Sequence, residues 1–98
     1  MKVAGIEISN KLLLGPMAGV TTLAYREFMK PFGVGLSFSE MVSDCGIRYG
    51  NEKTLDYLKS SKLDTPYAIQ LFGFSLENTI PAIKKIEEVA TYDFLDLN

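Results

Sequence analysis

Polar residues stand within or at the ends of apolar runs in this sequence, and their types suit the binding of a flat, hydrogen-bonding ligand. Gln70 lies inside Tyr67-Ala68-Ile69-Gln70-Leu71-Phe72, where a two-residue period puts it on one face with Ala68 and Phe72. A carboxamide among apolar neighbours needs partners for both its donor and its acceptor. A heterocycle with paired carbonyl and ring N–H groups would supply them, and so would a neighbouring loop. Glu40, in Ser39-Glu40-Met41-Val42-Ser43, is an acid in an apolar stretch. Buried, it needs a partner or a shifted pKa; at an exposed strand tip it needs neither. Asp96 and Asn98 alternate with Leu95 and Leu97. If the leucines face a helix layer, the polar side chains point the other way, with Asn98 at the ligand-facing end; the alternative is a polar pair that simply ends the strand. Gly15-Pro16-Met17-Ala18-Gly19-Val20-Thr21 is rich in small residues, so a flat ligand can approach its backbone amides closely. Pro16 fixes one turn of it. The same composition also serves a plain strand-to-helix turn.

Other chemistries are excluded by residue type. The 98 residues include one cysteine, Cys45, and no histidine. That removes a Ser–His triad and the common zinc sites, so no metal is expected. Cys45 cannot form an internal disulfide, which fits a reducing compartment. Arg48 is the basic residue nearest to it, and it reads as a bystander in a loop. A formal charge of −2 gives no field to hold a phosphate backbone, so RNA contact would need a local basic patch or sequence not present here. The first residues carry no secretion signal, and no apolar run is long enough for a membrane span. A cytoplasmic location without membrane contact is the expectation.

The elements that must position these residues alternate along the chain. Residues 3–8 read as a small hairpin or extended lead-in around Gly5. Leu12-Leu13-Leu14 is a short apolar run suited to a strand buried on both faces. A helix is predicted from about Thr22 to Lys30, with Val20, Ala24 and Phe28 on one face, a cap from Thr21 or Thr22, and a stop at Pro31. Residues 35–42 read as one strand, 51–59 as a short helix with Leu55 and Leu58 inward, and 67–72 as a strand stopped by Gly73. Residues 75–90 form a helix with Ile80, Ile83, Ile86 and Ala90 near one face. Pro81 places its regular start near Thr79. Residues 94–98 are a last strand.

Strand and helix in alternation mean right-handed βαβ units and a parallel sheet. No Gly-x-Gly-x-x-Gly follows the first strand, so the dinucleotide fingerprint is missing. About three and a half β/α units in this length match the pace of a (β/α)8 TIM barrel of about 250 residues. The fold class expected is therefore α/β, the N-terminal portion of such a barrel, incomplete. Its open sheet edge would make the isolated chain poorly stable or self-associating.

Leu13-Leu14-Gly15-Pro16-Met17-Ala18-Gly19-Val20-Thr21 resembles the opening APMAGVTD signature of the tRNA-dihydrouridine synthases. Ser39-Glu40-Met41-Val42 resembles their SEMV strand, and Gln70-Leu71-Phe72-Gly73 their QLFG. Asp96-Leu97-Asn98 resembles the start of DINMGCP. The four motifs come in order across the whole chain. Gly15 stands where alanine is common and Thr22 where aspartate is common. The cysteine of the last motif would lie three residues beyond Asn98, so no catalytic residue is expected in this chain.

The resemblance implies an FMN-dependent oxidoreductase that reduces uridine in tRNA to 5,6-dihydrouridine, with NADPH as reductant and the missing cysteine as proton donor. It implies that Pro16, Met17 and Ala18 contact the flavin through their backbone, that Gln70 bonds its polar edge, and that Asn98 lies near flavin and uracil. It also implies that residues 1–98 are the N-terminal part of the catalytic domain. The second half-barrel and a helical RNA-binding domain would lie outside the sequence. The chain alone would neither turn over substrate nor retain FMN firmly. Two other readings stay open: another FMN barrel of the dihydroorotate dehydrogenase kind, acting on a free pyrimidine, and a non-catalytic half-barrel that binds partners.

Overall fold

The computed structural model describes residues 1–98. It opens with a hairpin of β1 (Lys2–Val3) and β2 (Ile6–Glu7), paired antiparallel. Ala4 and Gly5 form its turn with φ of 49° and 81°. Positive φ at both central residues gives the twist that a two-residue hairpin needs. The hairpin delivers Ile8, 1% exposed, against Leu36 and Ala68 on one face of the main sheet.

That sheet is parallel throughout. It contains β3 (Leu13–Leu14), β4 (Leu36–Phe38), β5 (Val42–Ser43), β6 (Tyr67–Phe72) and β7 (Phe94–Leu97). β4 lies between β3 and β6, β5 runs beside the far end of β6, and β7 flanks β6 on its other side. Helices α1 (Leu23–Met29), α2 (Asp44–Arg48), α3 (Glu52–Asp56) and α4 (Leu76–Val89) connect the strands, with short 3-10 turns at Lys30–Phe32 and Lys62–Asp64. The alternation expected from sequence therefore stands as an α/β fold with a parallel sheet.

The main core lies between sheet and helices. Val42, Tyr67, Ile69 and Leu71 from the strands pack on Ile47, Leu58, Ala82 and Ile86. Leu95 packs on the same cluster. Ala68 belongs to the opposite face, against which Phe38 and Phe94 pack. Gln70 and Asp96, alternating with these residues, share that opposite face.

Residues 35–42 do not form the single strand expected. Phe38 pairs with Ala68 and Val42 with Leu71, so four steps along one strand match three along its neighbour. The extra residue is a bulge. It also inverts the face parity: Phe38 packs on one side of the sheet and Val42 on the other. Ser39, Glu40 and Met41 occupy the interruption.

Three helix expectations need correction. Val20, Ala24 and Phe28 do not line a buried face; Phe28 is 68% exposed. The buried residue of α1 is Arg26, whose Nε donates to Asp64 at 2.8 Å and whose two terminal nitrogens donate to the carbonyls of Thr21 and Lys59 at 2.7 and 2.8 Å. Its guanidinium lies 4.6 Å from the centre of the Tyr67 ring. A guanidinium with that many acceptors and an aromatic face is a satisfied core group. Burial pushes the Asp64 carboxyl above its ordinary value, and Arg26 pulls it back. Second, residues 44–48 form α2 rather than a loop, because Ser43 accepts from the Gly46 N–H and caps it. The helix expected over 51–59 covers only Glu52–Asp56, capped by Asn51. Third, α4 begins at Leu76 and keeps Pro81 inside it. Ile86 and Ala82 are its buried residues, while Ile80 is half exposed.

Candidate functional site

All main-sheet strands are parallel, so their C-terminal ends, and the loops that leave them, gather at one end of the sheet. The loop after β3 holds its shape by satisfying its own backbone. Met17 donates its N–H to the Thr21 hydroxyl at 3.1 Å, and Val20 and Thr21 both donate to the Met17 carbonyl at 3.0 Å. Thr22 donates to the Val20 carbonyl at 2.8 Å. Thr21 is fully buried, and Arg26 grips its carbonyl. Gly19, with φ of 74°, takes the left-handed turn that glycine adopts without strain.

Gly19 donates its N–H to Glu40 Oε1 at 2.6 Å, and Glu40 is 6% exposed. Of the two readings of Glu40, the buried and paired one holds. A carboxylate accepting a backbone N–H makes a strong, charge-assisted bond. The bulge carries the acid to this position, so Glu40 joins the second strand to the loop after the first.

The result leaves one donor over. Pro16 has no N–H, and those of Met17, Gly19, Val20, Thr21 and Thr22 are all engaged. Ala18 alone in Met17–Thr22 has an N–H without a partner in the chain, and it is exposed. A single unpaired amide at an exposed turn of small residues is a donor open to a ligand.

Gln70 donates from Nε2 to Asp96 Oδ2 at 2.7 Å, its partner across the β6–β7 ladder. Its own backbone N–H donates to the Ser39 hydroxyl at 3.0 Å, and that hydroxyl donates to the Glu40 carbonyl at 2.7 Å. The amide thus meets neither a loop nor an apolar wall. Its carbonyl oxygen has no partner in the chain. Asn98 continues the ladder, donating its N–H to the Leu71 carbonyl at 2.9 Å, and its side-chain amide donates to Met41 Sδ at 3.3 Å. It lines a cavity of about 250 Å³ with Phe72, Gly73, Thr79 and Leu97, and a neighbouring one of about 210 Å³ with Met41 and Phe74.

The predicted residues therefore fall into two linked groups. Pro16, Met17 and Ala18 are tied through Gly19 to Glu40, and the next residue, Met41, touches Asn98. Gln70 is tied to Asp96 on one side and through Ser39 to the bulge on the other. Neither Gln70 nor Asn98 makes a hydrogen bond to the Pro16–Ala18 turn.

Sequence reasoning passed over Asp44. It is 3% exposed, accepts from the Cys45 N–H at 2.6 Å and from the Thr79 hydroxyl at 3.1 Å, and lies against Gly73. A Cβ at Gly73 would overlap its carboxylate, so the end of β6 can reach α2 only as glycine. The glycine was the visible signal; what it made room for was not. Cys45 sits in the first turn of α2 rather than in a loop. Desolvation, then the Asp44 carboxylate, pushes its thiol above the ordinary value, which opposes thiolate formation. No cluster of three metal-ligating side chains is present, and no helix is long and apolar enough to cross a membrane.

Comparison with known proteins agrees with the motifs. The family model described as dihydrouridine synthase (Dus) matches residues 13–98. A probable tRNA-dihydrouridine synthase of Helicobacter pylori is 34% identical over 95 residues, which are 95% of this chain and 29% of the relative. One from Rickettsia bellii is 33% identical over 99 residues, 100% of this chain and 30% of the relative. The tRNA-dihydrouridine synthase B of Vibrio vulnificus is 44% identical over 43 residues, 44% of this chain and 13% of the relative. The chain spans about 30% of the length of the full-span relatives it matches. No solved structure matches significantly. With its strand-end motifs in place and a family model covering all but the first hairpin and its exit, the chain belongs to the dihydrouridine synthase family.

Proposed function

We propose that this chain forms the N-terminal strands of an FMN-binding barrel that reduces uridine in tRNA to dihydrouridine with NADPH, in the cytoplasm. The observation that carries the reading is the Ala18 N–H, the one donor in Met17–Thr22 without a partner in the chain. It stands at the same sheet end as Gln70, whose carbonyl oxygen is also free. A flavin ring has acceptor atoms and an imide N–H along its polar edge, so these residues fit it. The small residues Gly15, Ala18 and Gly19 leave space over the turn, where an added Cβ at Gly15 or Gly19 would meet nothing.

FMN, when bound, would supply the hydride chemistry. This chain's part is to bind and orient. The Pro16–Ala18 turn would support the ring through its backbone, with the Ala18 N–H as donor. Gln70 would read the polar edge. Asn98, beside Met41, would border the space where a uracil flipped out of the RNA is held. With a formal charge of −2, the chain would leave most tRNA contacts to other parts of the protein. The sheet edges, β3 and β7, carry half-exposed Leu13 and more exposed Leu97, and would pair with further strands or with other copies of the chain.

The test is an amide-resolved titration with FMN. Binding moves the Ala18 backbone resonance and the Gln70 side-chain resonances together and saturably, in fast exchange. An Ala18 amide that stays still while flavin binds elsewhere would refute the site. Dihydrouridine formed by the full-length protein on unmodified tRNA, and lost on FMN removal, is the matching activity measurement.

A further inference from the structure

We infer that Asp96 is a positioning residue that decides which end of the Gln70 carboxamide faces the ligand. An ionised carboxylate accepts hydrogen bonds and cannot donate them. At 2.7 Å from Asp96 Oδ2, the Gln70 side chain must therefore present its nitrogen to Asp96. The alternative rotamer, turned by 180°, would bring two oxygens together and is repelled.

The consequence lies on the other side of the amide. A primary amide has two N–H donors and one carbonyl acceptor. Asp96 takes one N–H, which leaves the carbonyl oxygen and a single N–H. The carbonyl oxygen has no partner in the chain, although Gln70 is half-buried. The pair is directly opposed in the β6–β7 register, so the strands hold both side chains on one face. The backbone of Gln70 is pinned independently by the Ser39 hydroxyl. The site therefore offers an acceptor with at most one donor beside it. Its complement is a ring edge that carries an N–H next to a carbonyl, which is an imide edge. This rests on the flavin reading for the identity of the ring, but the polarity of Gln70 stands without it.

The test uses the chain labelled with nitrogen-15. In the wild-type protein one Gln70 Nε2 proton is shifted and protected from exchange, and the other is not. A Gln70 amide whose two protons both lie at the positions of free glutamine and exchange unprotected overturns the inference with no variant needed. Asp96→Asn keeps the shape but can donate as well as accept, so both amide rotamers appear and the protection falls. Asp96→Ser, smaller and neutral, is the second variant, and the unchanged remainder of the spectrum reports that each folds. The chain is then titrated with FMN and with FMN methylated at N3, which lacks the imide N–H. Loss of one hydrogen bond weakens the analogue about tenfold in the wild type. In Asp96→Asn that ratio falls toward one. An equal ratio in wild type and variant overturns the positioning role. A locked Gln70 amide that stays still while FMN moves other resonances refutes the flavin reading of Gln70 and leaves the role of Asp96 standing.

Discussion

Arg48 donates from its guanidinium to the carbonyl oxygen of Glu77 at 3.4 Å, and that carbonyl is the one Pro81 leaves without a donor four residues on. Proline inside a helix removes one backbone N–H. Arg48 stands in for it, held by a second bond of 2.6 Å to Asn78 Oδ1. The Glu77 carbonyl therefore keeps a donor although Pro81 lies inside α4. Arg48→Ala should cost about 1 kcal/mol in urea unfolding. In a Pro81→Ala background the backbone N–H returns and the same change should cost clearly less. Equal costs in the two backgrounds would mean that Arg48 does not act on that carbonyl.

Glu40 holds the Gly19 N–H, so its removal should loosen the turn that carries Ala18. Glu40→Ala removes a buried acceptor from the exposed Gly19 N–H, which water can then reach, at a cost of about 1.5 kcal/mol. Glu40→Gln keeps an acceptor and should cost less. Hydrogen exchange reads the local effect: the Gly19 amide loses its protection in Glu40→Ala while the β6 amides keep theirs after correction for global stability. Unchanged protection at Gly19 would show that the acid does not hold the loop.

The sequence made some of this legible and hid the rest for identifiable reasons. β6 could be placed to the residue, because Pro66 and Gly73 bound an apolar run with one amide in it. The Pro16–Ala18 turn was visible through its small residues. The bulge between β4 and β5 was not, since the extra residue emerges only when Phe38 and Val42 are set against Ala68 and Leu71. For the same reason the partner of Gln70 could not be read: it lies 26 residues away and depends on the register of two strands. The inward face of α1 was misread because its buried residue is Arg26, whose charge is matched by Asp64 and the Lys59 carbonyl from distant segments and by the Thr21 carbonyl just before the helix. Apolar periodicity carries no trace of such a group.

Gly73 should tolerate no side chain. An added Cβ meets the Asp44 carboxylate, which is fixed by the Cys45 N–H and the Thr79 hydroxyl. Gly73→Ala should destabilise by about 1–3 kcal/mol, as over-packing does. Pairing it with Asp44→Gly should remove the clash, so the double variant should lose less than the sum of the two single changes. Strict additivity would place the strain elsewhere.

Burial pushes the Tyr67 hydroxyl up to about 12, with the Arg26 guanidinium opposing it. The hydroxyl donates to the Tyr57 carbonyl at 3.2 Å. In the unfolded chain a tyrosine loses its proton near pH 10. Between these values the native state keeps a proton that the unfolded state has given up, so the unfolded state binds fewer protons and stability falls as pH rises. The contribution of Tyr67 is complete below about pH 10 and gone above about pH 12, an amount of roughly 2–3 kcal/mol. Urea unfolding of the wild type and of Tyr67→Phe across this range isolates it, because every other titrating group is common to both chains. The wild type should lose its advantage, or fall further behind, as pH climbs through that window. Parallel curves for the two proteins would mean that Tyr67 ionises in the folded chain as it does in the unfolded one, and that its burial against Arg26 and α3 is looser than the geometry indicates.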